Sequence, residues 1–214
     1  MELNGYIEHT LLKQDAKKSE LIKLFDEAKQ YKFKGVCINP QNVPLAVQNL
    51  KDSGVKVVTV VGFPLGASLP ESKAFEASKA IEQGADEIDM VISVQAIKDK
   101  DYNYVLNDIK TVKKAVGEHI LKVIIETDLL DKEEIVKACE LIKEAGADFA
   151  KTSTGFVKNG TGAKVEDIKL MKETLKNSNV RIKASGGIKT KEKAVELVEA
   201  GASRLGTSSG VQLL

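Results

Sequence analysis

Eight short apolar, β-branched runs alternate with seven helical patterns, which predicts an α/β fold: a parallel (β/α)8 TIM barrel spanning residues 1–214 as a single domain. Two further observations point the same way. Gly84-Ala85-Asp86, Gly146-Ala147-Asp148 and Gly201-Ala202-Ser203 each end a helical pattern and lead into a strand, as parallel strands with helical crossovers require. The length of 214 residues gives eight units of about 27 residues, near the lower size of this architecture. The alternative is a doubly wound open sheet. Against it, no G-x-G-x-x-G follows the first strand and no Walker lysine loop appears.

The elements follow in order. A first strand is expected at 6–10, then a helix over 19–32 in which Leu21, Leu24, Phe25, Ala28 and Tyr31 share one face. Strands at 35–39 and 55–62 flank a helix at 42–52. The helix at 70–83 is preceded by Ser68, spaced from Glu71 as in a capping box. Strands at 86–91, 121–126 and 148–153 alternate with helices at 101–116 and 132–145, and Asp131 with Glu134 repeats the capping-box spacing. The chain ends on a helix at 165–177, a strand at 180–184, a helix at 190–200 and a strand at 203–207.

Composition narrows the function. Hydrophobic residues at 43% and charged residues at 29% exclude wholesale disorder. A formal net charge of +1 gives no basic field for nucleic acid or an anionic membrane, and no apolar run is long enough to span a bilayer. The N-terminal MELNGYIEHT does not read as a secretory signal. Cys37 and Cys139 are too few for a disulfide scaffold, so a reducing, cytoplasmic setting is expected. His9 and His119 cannot make a three-histidine zinc site, and no cysteine spacing helps them.

Several strands carry charge where a doubly buried strand should be apolar. Glu87 and Asp89 share one face, Phe149 and Lys151 another, Arg181 and Lys183 a third, and Lys122, Ile124 and Glu126 a fourth. Helices cover the outside of a barrel, so this charged set points inward, toward the strand C-termini where active sites are built. Lys151 and Lys183 fall on consecutive strands, about 4.8 Å apart. An ordinary lysine is roughly 0.04% neutral at pH 7, whereas burial and a second ammonium favour the neutral nucleophile. Two lysines with Asp89 suggest Schiff-base chemistry; the alternative is a Lys–Asp–Lys ion pair filling a barrel layer. Thr152-Ser153-Thr154-Gly155, Gly186-Gly187 and Ser208-Ser209-Gly210 follow the sixth, seventh and eighth strands. They suggest a phosphate cradle of backbone amides, or tight turns that need glycine regardless.

With these residues in hand, the sequence resembles the deoxyribose-phosphate aldolase family of class I aldolases. The resemblance rests on IEHTLL at 7–12, VCINP at 36–40, VGFPLGA at 61–67, GADEIDMVI at 84–92, KVIIET at 122–127, AGADFAKTSTGF at 145–156, KASGGI at 183–188 and GTSSG at 206–210. It implies reversible cleavage of 2-deoxy-D-ribose 5-phosphate to D-glyceraldehyde 3-phosphate and acetaldehyde, with no metal or organic cofactor. It further implies Lys151 as nucleophile, Lys183 as the cation that tunes it and Asp89 as proton donor and acceptor. Gly155, Gly186, Gly187, Ser208 and Ser209 would hold phosphate, with Cys37, Thr10 and Thr152 near the substrate. Glu126 is either a supporting residue or a structural partner of Lys122. Members are often homodimers. The sequence departs from the family pattern at Glu8, where aspartate is usual, and at Asp128, where a small residue is common. It also ends at GVQLL, without the tyrosine-ending tail of some members.

Overall fold

The structure, a computed structural model, describes residues 1–214. Eight strands form: β1 (Ile7–Leu11), β2 (Gly35–Ile38), β3 (Lys56–Val61), β4 (Glu87–Val91), β5 (Ile120–Ile124), β6 (Phe149–Lys151), β7 (Arg181–Ser185) and β8 (Arg204–Thr207). They pair in parallel in chain order, and β1 meets β8 to close the barrel. The helices are α1 (Lys18–Gln30), α2 (Val43–Leu50), α3 (Pro70–Glu82), α4 (Val94–Lys98), α5 (Tyr102–Val116), α6 (Lys132–Ala145), α7 (Val165–Leu175) and α8 (Lys191–Ala200). No helix is long and apolar enough to cross a membrane.

Local sequence explains most of these elements. Leu21, Leu24, Phe25 and Ala28 bury the inner stripe of α1. Asp131 and Glu134 form the expected capping box: Asp131 Oδ1 accepts from the Glu134 amide at 2.9 Å, and Glu134 Oε2 from the Asp131 amide at 2.8 Å. Gly146 ends α6 with φ +75°, which a side chain at that position would resist.

Three expectations give way. Ser68 does not cap α3, because Pro70 opens that helix and makes Leu69 the N-cap, one residue too late for the Ser68–Glu71 spacing. The five-residue α4 was not expected; it is too short to show a helical period, and the Ser93 hydroxyl caps it by accepting from the Ala96 amide. The sixth strand stops at Lys151 rather than 153. The Thr152 hydroxyl takes both the amide and the carbonyl of Ser185, each at 3.0 Å, so the β6–β7 ladder has no groups left there.

The main apolar core lies between barrel and helices, where Ile88, Met90, Ile182 and Leu205 point outward. Inside the barrel only a small apolar cluster forms, from Leu12, Cys37, Val58 and Val60, with Phe63 packed on it. Charged side chains dominate the rest of the interior.

Candidate active site

Alternation along each strand delivers seven charged side chains to the barrel interior. The carboxylates come from β1 (Glu8) and β4 (Glu87, Asp89); the cations come from β5 (Lys122), β6 (Lys151), β7 (Lys183) and β8 (Arg204). All are buried. The register sets Lys151 beside Lys183, and Lys183 beside Arg204. Asp89 Oδ2 accepts from Lys151 Nζ at 2.6 Å and from Lys183 Nζ at 2.7 Å, while its Oδ1 accepts from Lys122 Nζ at 2.9 Å. Lys122 also contacts Glu87 at 2.5 Å and Glu8 at 3.3 Å. Arg204 Nη1 donates to Glu8 Oε1 at 2.7 Å and to Glu87 Oε2 at 3.1 Å, and Lys183 binds the other Glu8 oxygen. The Phe149 ring lines this cluster, with Arg204 5.3 Å and Lys122 5.9 Å from its centroid.

Mutual pairing overrides desolvation. Burial pushes the Asp89 carboxyl up, yet Lys122, Lys151 and Lys183 together hold it well below the usual carboxylate range. Burial likewise opposes the charge on Lys183, but Asp89 and Glu8 outweigh it and keep the ammonium above the ordinary lysine range. Lys122 moves in the same direction, against its burial, through Asp89 and Glu8. Burial alone would discharge both lysines; each keeps its charge because it meets at least two carboxylates.

At the C-terminal ends of the strands a cavity of about 300 Å³ opens. Of the seven charged residues, Lys151 alone lines it. Thr10, Gly155, Gly186, Gly187 and Ser208 also line it. Ser153 joins them, as do Lys13, Phe156, Ser185 and Lys189, which the sequence did not single out. The Ser153 hydroxyl is buried without a hydrogen-bond partner. Ser209 lies outside this lining, in a neighbouring hollow against α1. Gly187 needs its residue type: φ is +70°, and an added Cβ would stand 2.4 Å from the Thr161 carbonyl oxygen.

The remaining candidates sort by contact. Thr10 Oγ1 donates to the Glu8 carbonyl at 3.0 Å. Thr152 is spent on Ser185, as described. Arg181 is exposed at the start of β7, where its guanidinium lies 4.1 Å from the centroid of the same Phe149 ring. Glu126 is not a partner of Lys122; beyond β5 it takes a left-handed conformation (φ +59°) and accepts from the Thr154 amide and hydroxyl. Its carboxyl is pushed up by burial, against the Thr154 hydrogen bonds. Asp128 holds the β6–α7 loop, accepting from Gly162 N at 2.7 Å, Thr161 Oγ1 at 3.0 Å and Lys164 at 3.1 Å.

Glu8, Cys37 and Asp89 place ligand atoms within 4.8 Å of one another. Their chemistry does not suit a cation. Both carboxylates are occupied by lysines, and burial pushes the Cys37 thiol up to about 11.

A closed parallel barrel whose cavity meets a lysine backed by a carboxylate and a second lysine has the parts of a lysine-centred barrel active site. Residues 6–213 match the DeoC/LacD family aldolases, and the chain belongs to that family; it is an aldolase, a lyase. Over its whole length it is 55% identical to the deoxyribose-phosphate aldolase of Lactococcus lactis subsp. lactis, covering 96% of that protein. It is 54% identical to the deoxyribose-phosphate aldolase of Mycoplasma capricolum, covering 95% of it. A tetrameric deoxyribose phosphate aldolase from Aeropyrum pernix has a similar structure, with a TM-score of 0.88 at 33% identity over 99% of this chain and 88% of that one.

The charge cluster sets an acid limit on stability. Burial raises the Glu8 carboxyl, but Lys122, Lys183 and Arg204 bring it from 4.5 down to about 2. A lowered folded-state pKa stabilises above the unfolded value, and that stability is lost as pH falls through the folded one. Between pH 4.5 and 2, the wild type is therefore expected to lose stability on the order of a few kcal/mol more than Glu8→Gln does. Urea unfolding of both proteins across this range, with equal slopes, would contradict the assignment.

Proposed function

We propose that this aldolase reversibly cleaves 2-deoxy-D-ribose 5-phosphate to D-glyceraldehyde 3-phosphate and acetaldehyde through a Schiff base on Lys151. A role in deoxyribose catabolism in the cytoplasm belongs to the same reading, supported by the two free, buried thiols. One observation carries the proposal: Lys151 is the only residue that joins the charge cluster and also faces the cavity.

The neutral amine of Lys151 adds to the aldehyde carbon of the open-chain sugar. Loss of water from the carbinolamine leaves a protonated imine, which draws electrons from the neighbouring carbon–carbon bond. A base takes the proton of the hydroxyl on the third carbon. The bond between the second and third carbons breaks, and D-glyceraldehyde 3-phosphate departs. The remaining enamine is protonated at its terminal carbon, and hydrolysis of the imine frees acetaldehyde and the lysine. Asp89, in contact with both nitrogens, is the carboxylate through which protons pass, and Lys183 stays a fixed cation beside it. Proton transfer of this kind contributes about 10² to 10⁴ in rate. Gly155, Gly186, Gly187 and Ser208 would receive the phosphate, with Ser209 completing the loop behind Ser208. Lys13 and Lys189 add positive charge to the same wall.

Borohydride added with acetaldehyde is expected to fix a two-carbon adduct on Lys151, seen by peptide mass mapping and absent from Lys151→Ala. An adduct mapped to another lysine overturns the residue assignment. Lys183→Leu is expected to keep the fold and move the pH optimum upward, because a cation beside Lys151 is gone; an unchanged profile counts against its role. Gly187→Ala is expected to raise KM for the phosphorylated sugar about tenfold while trapping by acetaldehyde, which has no phosphate, stays near wild type. Equal losses in both assays would place the phosphate elsewhere.

A further inference from the structure

The barrel interior holds four cations and three carboxylates. The cluster therefore carries one positive charge in excess when all seven groups are ionised. The one further carboxyl that acts on Lys151, Glu126, is engaged by Thr154 and pushed up by burial, away from its ionised form. Cys37 on β2 is a neutral thiol, and β3 brings Val58 and Val60. Lys13 and Lys189 across the cavity are exposed cations.

A closed interior of low dielectric penalises net charge, so loss of one proton brings the cluster to neutrality and is favoured. The contacts decide which cation gives it up. Arg204 is effectively always protonated. Lys122 touches three carboxylates and Lys183 two. Lys151 touches only Asp89, and it alone has the cavity to release a proton into.

We propose that Glu87 and Arg204, deep in the barrel and outside the cavity, are positioning residues that set the charge balance from which Lys151 becomes the neutral nucleophile. Arg204 bridges Glu87 and Glu8, and Glu8 passes its second oxygen to Lys183, so the pair also aims the cation next to the nucleophile. This inference rests on Lys151 as the Schiff-base residue.

The test is the acid limb of kcat/KM, which reports ionisations of the free enzyme. It is run beside cyanoborohydride trapping with acetaldehyde and mass mapping. Glu87→Gln removes a negative charge and makes the neutral amine easier to form; the limb moves down by about one pH unit. Arg204→Gln removes a positive charge, and the limb moves up by about the same amount. The double variant restores the balance and returns the limb to its wild-type position, as does Arg204→Lys, which keeps the charge. A merely structural role lowers the melting temperature of these variants without moving the limb in opposite directions. If a variant fails to fold, Lys122→Gln replaces it, with the upward shift expected of Arg204→Gln. Limbs that stay put, or that all move the same way, while the adduct still maps to Lys151, overturn the inference and leave the Schiff-base reading intact. A wild-type adduct away from Lys151 overturns that reading instead.

Discussion

The carboxylate of Asp89 is the constraint around which the barrel is organised. A single buried carboxylate costs several kcal/mol to hold ionised unless cations surround it. Here three lysines from three successive strands converge on its two oxygens. That convergence ties β5, β6 and β7 to β4 and fixes which residues can lie at each level of the interior. Glu8 and Arg204 extend the arrangement across the seam where the first and last strands meet, so barrel closure and completion of the charge cluster are the same event.

The division between apolar exterior and ionic interior explains how a small barrel can carry chemistry. Helices bury the outward side chains of the strands in a continuous core, which leaves the inward positions free of any duty to be hydrophobic. The apolar cluster of the interior lies on its β2–β3 side, and Phe149 adds a ring from β6. Of the seven charged side chains in the cluster, only Lys151 lines the cavity, so the pocket presents one of them and shields the other six.

Much of this was legible in the sequence because charge interrupts apolar runs at alternate positions. Glu87, Asp89, Lys122, Lys151 and Lys183 stand out on that basis, and the recurring glycine junctions mark the strands that carry three of them. Arg204 was harder to see. Its inward neighbour on β8 is Gly206, so only one charge breaks the pattern there, and a lone arginine at a strand start also reads as solvent-exposed, as Arg181 proves to be. The number of carboxylates around Lys183 and Lys122 was hidden for another reason. Periodicity reveals that a lysine is buried but not how many carboxylates meet it, and that number decides whether desolvation or attraction wins. Thr152 and Glu126 escaped because hydrogen bonding in a loop, not spacing along a strand, determines their roles.

One feature of the interior reaches beyond the active site. The three acids all precede the four cations along the chain, the former on β1 and β4 and the latter on β5 to β8. Cut between β4 and β5, the protein would yield one fragment lined with mutually repelling carboxylates and another lined with mutually repelling ammonium and guanidinium groups. Neither piece can neutralise itself, yet each offers what the other lacks. Opposite linings therefore favour the union of the two unlike halves over the pairing of either half with its own copy.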